Sequence, residues 1–153
     1  KMFEVASDFN VPIVLMHMKG DPASMQSDTI YDSVIDNICS FFDERISIAK
    51  DYGIADKNII LDPGIGFGKS IDDNFSIVKN IDKFKRIGYK VLIGLSRKSF
   101  LSYKEDAPKD RLSATITMNT LSILNGADII RVHDPVESIK MKNTLIKYSF
   151  CKD

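Results

Sequence analysis

The chain has 153 residues, 44% of them hydrophobic and 27% charged, which is the composition of one ordinary soluble domain. Its 21 basic residues balance 21 acidic ones, and a net charge of zero excludes a broadly basic nucleic-acid footprint or a cationic membrane surface. No apolar run approaches the ~20 residues of a membrane span and no signal peptide is visible; the two cysteines, Cys39 and Cys151, form no CxxC pair, so a reducing, cytoplasmic setting is expected.

An amphipathic pattern opens the chain (Met2, Phe3, Val5, Ala6, Phe9) behind Lys1, with no initiator Met, and reads as if cut from something longer. The run Val11, Pro12, Ile13, Val14, Leu15 then predicts a strand that ends at Met16 and His17. Asp32 is the expected N-cap of a helix whose apolar positions (Val34, Ile35, Ile38, Phe41, Phe42, Ile46, Ala49, Tyr52) keep three-to-four spacing until Gly53. A second strand, Asn58 to Leu61, leads to Asp62. Phe75, Val78, Ile81 and Phe84 mark a second helical stripe, broken near residues 80–82. The strand Lys90 to Ile93 leads to Ser96, Arg97 and Lys98, and Leu112, Ile116, Leu121 and Leu124 define a helix closed by Gly126. A last strand, Asp128 to Val132, carries Arg131 and leads to His133, and Pro135 opens the final helix at a first-turn position.

Alternation of near-continuous apolar strands with helices predicts an α/β fold with a parallel sheet. Two architectures satisfy it: an open doubly wound sheet, and a segment of a (β/α)₈ barrel. An open sheet gathers its chemistry at one switch point, whereas a barrel draws on the ends of several strands. Here all four strands end in polar, chemistry-bearing residues, which favours the barrel, although only four of eight strands are present.

The stretch Asp62 to Ser70, DPGIGFGKS, imitates a phosphate loop without being one. The Walker A pattern needs a glycine where Pro63 stands, and the dinucleotide fingerprint needs one at Lys69 or Ile71. Strand-Asp-Pro-Gly is a different device: the strand delivers a carboxylate to its end, proline stops the ladder, and glycines let backbone approach a flat ligand. A plain Gly-rich turn with a capping Asp is the alternative for this stretch alone.

Four segments in order, LMHMKGDPASMQ (15–26), IILDPGIGFGKS (59–70), VLIGLSRKSF (91–100) and GADIIRVHD (126–134), together closely resemble dihydropteroate synthase, a (β/α)₈ (TIM-barrel) enzyme of folate biosynthesis. The resemblance covers the chain but only strands five to eight of that barrel, so residues 1–153 are expected to form its C-terminal half. It implies a transferase that joins 6-hydroxymethyl-7,8-dihydropterin diphosphate to 4-aminobenzoate and releases diphosphate. Mg²⁺ is the implied cofactor, with its ligand in the missing N-terminal half and none assigned here. A homodimer is the family expectation, and no nucleic-acid or membrane partner is expected.

By the match of motifs, Asp62 holds the pterin edge, a pairing suited to an ionised carboxylate that accepts two N–H bonds. Lys98 donates to the pterin ring from a second strand end, and the Ser99 turn receives the aminobenzoate carboxylate. Phe67 lines the cleft, Met16 rather than Met18 lies against the pterin face, and Gly94 leaves room for the flat ligand. Arg131 and His133, two apart on one strand, leave the same face and suit the departing diphosphate. The alternative for Arg131 is an inward guanidinium paired to a structural carboxylate. Lys98, Arg131 and His133 are the expected catalytic groups, while Arg97 is read as structural or exposed and His17 as structural. Two rivals remain: a pterin-binding methyltransferase, against which SRKSF and RVHD speak, and a non-catalytic half-barrel that binds or assembles. Half a barrel leaves two strand edges open, so the isolated chain is expected to be inactive.

Overall fold

Four strands pair side by side in chain order, all parallel, in a computed structural model that describes residues 1–20 and 29–151. They are β1 (Ile13–Met16), β2 (Ile59–Asp62), β3 (Lys90–Ile93) and β4 (Ile129–Ile130). Around them run α1 (Met2–Asp8), α2 (Val34–Asp51), α3 (Ile71–Lys79), α4 (Ile81–Lys85), α5 (Leu112–Leu124) and α6 (Pro135–Ser149). Residues 21–26 of the LMHMKGDPASMQ segment lie outside the described residues.

The order β1-β2-β3-β4 has no reversal, as expected of a barrel wall. A doubly wound sheet must reverse its strand order somewhere, whereas a barrel wall adds each strand beside the last. The register places Met16 opposite Asp62, Leu61 opposite Val91 and Ile93 opposite Ile130. Because all strands run the same way, their C-terminal ends share one rim.

Packing follows from the apolar faces. Leu61, Val91 and Ile93 are fully buried in the central strands, and Ile38, Phe42, Ile77, Ile81 and Phe84 come down on the sheet from α2, α3 and α4. Phe42 and Phe84 meet edge to face, their centroids 5.9 Å apart. Each such side chain contributes about 1.5–3 kcal/mol by leaving water. The flanking strands are less protected: Val14 of β1 is 40% exposed, and among the described residues β1 and β4 each have a single strand neighbour. No helix of the described residues is long and apolar enough to cross a membrane.

The element boundaries differ from expectation in several places: β1 begins at Ile13 rather than Val11, and β2 covers Ile59–Asp62 rather than Asn58–Leu61. Ser33, not Asp32, caps α2, its Oγ accepting from the Asp36 N–H at 3.3 Å. β4 is two residues long rather than five, although the Arg131 N–H still donates to the Ile93 carbonyl at 2.9 Å. The expected break near residue 80 is real, since Asn80 ends α3 and begins α4. A capping box at Ser70 and Asp73 starts α3 directly behind the glycine-rich loop and fixes where that loop must end.

Candidate active site

Asp62 is the last residue of β2, and the strand carries its carboxylate to the rim while keeping it 1% exposed. Oδ1 accepts from the Gly64 N–H at 2.8 Å, and Oδ2 accepts from Arg131 Nη2 at 3.2 Å. Burial raises the pKa of this carboxyl above its ordinary value, opposed by the Gly64 N–H and by the cations of Arg131 and Lys98. A carboxylate offers about four acceptor positions, and these two bonds leave about two of them open.

The glycine-rich loop is shaped by its neighbours. Gly64, at φ +71°, lies so close to β1 that a Cβ there would stand 1.8 Å from the His17 carbonyl oxygen. Only glycine fits that conformation and that approach. Buried Asn74 of α3 holds the next turn, accepting from the Gly66 N–H at 2.7 Å and donating to the Ser70 carbonyl at 2.7 Å.

From the third strand end, Lys98 reaches across to this loop. Its ammonium donates to the Ile65 carbonyl and sits 4.5 Å from the Phe67 ring centroid, a cation–π contact. Burial lowers its pKa to about 8, with the nearby Arg131 charge pushing the same way and Asp62 opposing. Ser99, exposed at the head of a 3-10 turn, shares a cleft of about 370 Å³ with Gly66, Lys69, Ser70 and Asn74.

Arg131 and His133 follow β4. The Arg131 side chain is 54% exposed, so it reaches Asp62 while the rest of its guanidinium remains available at the rim. A Cβ on Gly94 would come within 2.6 Å of Arg131 Nη2, so this glycine makes room for the guanidinium itself. His133 is exposed and tied to the end of β3: its N–H donates to Ser96 Oγ at 3.2 Å, and Nδ1 lies 3.1 Å from the same oxygen. Met16 is half-buried and register-paired with Asp62, so the two side chains share a face of the sheet. Asp62, Lys98, Phe67, Gly94, Arg131 and Met16 thus lie together on one rim, with His133 and Ser99 beside them.

Arg97 has φ +58° and forms a two-point ion pair with Asp134, joining the β3 loop to the start of α6. His17 points away from Asp62 toward α2, where Nε2 bonds Asn37 Oδ1 at 3.0 Å and the ring meets Phe41 edge to face.

The family model described as pterin binding enzyme matches residues 1–133. The chain belongs to the pterin-binding enzyme family. A dihydropteroate synthase of Synechocystis sp. is 40% identical over 136 residues, which cover 88% of this chain and 47% of that relative. The crystal structure of dihydropteroate synthase from Stenotrophomonas maltophilia, with active site-bound imidazole, has a TM-score of 0.94 at 33% identity, covering 99% of this chain and 58% of that one. The Xanthomonas albilineans dihydropteroate synthase with 4-aminobenzoic acid has a TM-score of 0.90 at 30% identity, covering 98% and 54%. The chain spans about half the length of these relatives, and its four-stranded sheet is a partial wall of the TIM barrel.

Several residues of this rim carry no expectation from the sequence alone. Ser96 anchors His133, Asn74 anchors the loop, and Lys69, 4% exposed, lies beneath Gly64 with its ammonium 2.9 Å from the Phe67 carbonyl. The signal for Asn74 was its place one turn inside a helix whose Ser70 cap is legible; Lys69 had no local signal, because lysines are rarely buried. Among the described residues, no group of three or more His, Cys, Asp or Glu could hold a metal ion.

Proposed function

We propose that this chain is the C-terminal half of the barrel of a dihydropteroate synthase, which condenses 6-hydroxymethyl-7,8-dihydropterin diphosphate with 4-aminobenzoate to give 7,8-dihydropteroate and diphosphate. The observation that carries this reading is the arrangement at Asp62: a buried carboxylate with about two acceptor positions open, faced by Arg131 at 3.2 Å and within the field of Lys98. A flat heterocycle with adjacent N–H donors matches the carboxylate, and an anionic leaving group matches the exposed guanidinium.

In this mechanism Asp62 accepts two N–H bonds from the amino-pyrimidinone edge. Lys98 leaves the Ile65 carbonyl to donate to the pterin ring, with Phe67 and Met16 bordering the ring's cleft. As the bond from the exocyclic CH₂ to diphosphate breaks, the electron-rich ring spreads the positive charge. Arg131 and His133 stabilise the departing anion, and the neutral arylamine forms the new C–N bond and then loses a proton. The Ser99 turn, bordering the cleft next to Gly66, suits the aminobenzoate carboxylate. The remainder of the barrel, a homodimeric assembly and a cytoplasmic location complete the proposal.

Diphosphate release by the complete polypeptide, dependent on both pterin diphosphate and 4-aminobenzoate, tests it. Methyl transfer from a methylated tetrahydrofolate without diphosphate release would replace it with the methyltransferase reading. Pterin binding without any turnover would leave a binding module.

A further inference from the structure

The Gly68-Lys69-Ser70 sequence is not a phosphate loop, yet its lysine is one of the most buried charged side chains of the rim. Lys69 Nζ lies 2.9 Å from the Phe67 carbonyl, 3.0 Å from His17 Nδ1 and 3.5 Å from the His17 carbonyl. His17 in turn is fixed from the other side by Asn37 of α2 at 3.0 Å. The ammonium therefore spans three pieces of chain: the end of β1, the loop after β2, and through the imidazole the first turn of α2.

The chemistry of the two groups is compatible in one protonation pattern. An ammonium has three donors and no acceptor, so His17 Nδ1 must bear a lone pair and the Nε2–H must donate to Asn37 Oδ1. Burial and the Lys69 charge hold the imidazole pKa down to about 4, keeping it neutral at ordinary pH. The charged or titratable groups that face Lys69 are His17, Asp62, Lys98 and Asp73. Asp62 and Asp73 favour its charged form; burial and Lys98 oppose it.

We propose that Lys69 is a positioning residue, a buried clamp that ties the loop after β2 to His17 and thereby fixes the Gly64 N–H, and with it the Asp62 carboxylate, for the pterin edge. This rests on the pterin reading of Asp62. It accounts for the close approach of Gly64 to the His17 carbonyl, where no side chain could intervene. It also explains why a lysine, rather than an apolar residue, occupies this enclosed place: two backbone carbonyls and an imidazole lone pair all point there and need donors.

The test uses the complete polypeptide. In the unmutated protein, nitrogen NMR of His17 is expected to show Nδ1 unprotonated and Nε2 protonated; a proton on Nδ1 would overturn the clamp. In Lys69→Met the His17 pKa is expected to rise, amide exchange at Gly64 and Phe67 to quicken, and affinity for pterin diphosphate to fall roughly tenfold to a hundredfold. Unchanged exchange and an unchanged His17 pKa in a folded Lys69→Met protein would refute the proposal. If the unmutated protein binds no pterin diphosphate, the pterin reading fails, and with it the pterin-positioning role. The tautomer and exchange results then decide separately whether the clamp itself exists.

Discussion

Asp62 and Arg131, 69 residues apart in sequence, meet at 3.2 Å, one almost wholly buried and the other half exposed. In the proposed mechanism the pair joins a carboxylate that faces the pterin edge to a guanidinium that faces the leaving group. Replacing Asp62 with Asn keeps the shape but turns one acceptor oxygen into a donor. Two charge-assisted bonds to the pterin are then weakened or lost, at about 2–4 kcal/mol, which is roughly 30- to 1,000-fold in affinity. Titration of pterin diphosphate into Asp62→Asn measures this; affinity within a few-fold of the unmutated protein would remove Asp62 from the pterin site.

Two glycines of the rim should respond to alanine in opposite ways. At Gly94 the added Cβ meets the far end of Arg131, a flexible side chain that can swing out to solvent. Gly94→Ala should fold with a melting temperature close to that of the unmutated protein, while losing the Arg131–Asp62 contact and roughly tenfold in turnover. At Gly64 the Cβ meets a backbone carbonyl at 1.8 Å in a left-handed conformation, and neither can yield cheaply. Gly64→Ala should cost roughly 3 kcal/mol or more of stability. Thermal melts of the two variants side by side check the contrast, and equal destabilisation would contradict it.

What the sequence displays and what it conceals divide along locality. Asp62 was legible because the strand, the proline and the glycines that define its position are adjacent to it. The barrel order was legible from the polar strand ends. The choice of Ser33 over Asp32 as cap was not, since both side chains can cap and only the path of the chain decides which one reaches the Asp36 N–H. β4 was overestimated because Val132 continues its β-branched pattern beyond the end of β3 at Ile93, whose carbonyl accepts the last bond from the Arg131 N–H. Lys69 was invisible because the groups that bury it include His17, 52 residues away. The role of Gly94 beside Arg131 is concealed for the same reason.

Buried His17 predicts a pH dependence of stability. Its pKa is about 4 in the folded chain against an ordinary 6.5, so between those values the unfolded chain binds more protons and stability rises with pH. The stabilisation is complete above pH 6.5 and is lost as pH falls toward 4; its full size is up to roughly 3 kcal/mol. Lys69 and Lys98, lowered to about 8, have the same sign at the alkaline end, where stability should rise between pH 8 and 10.5. Chemical denaturation at pH 4.5 and 7 should show a smaller difference in His17→Asn than in the unmutated protein. An equal difference in both would mean that His17 titrates normally.

The open flanks of the sheet predict how the 153-residue chain behaves when made alone. Val14 lies 40% exposed on β1, and β1 and β4 each lack a second strand neighbour among the described residues. Unpaired backbone N–H and C=O groups along two strand edges template further pairing, so copies of the isolated chain should associate with one another as concentration rises. On the half-barrel proposal the rim is incomplete in the same sense, because a barrel site is assembled from strand ends all the way round. Sedimentation across a range of concentrations should therefore show self-association, and the isolated chain should release no diphosphate from pterin diphosphate and 4-aminobenzoate. Adding the N-terminal half of a relative's barrel in trans should suppress the first behaviour by covering the edges and restore measurable turnover. A monodisperse, catalytically competent isolated chain would show that these four strands close their site without further strands.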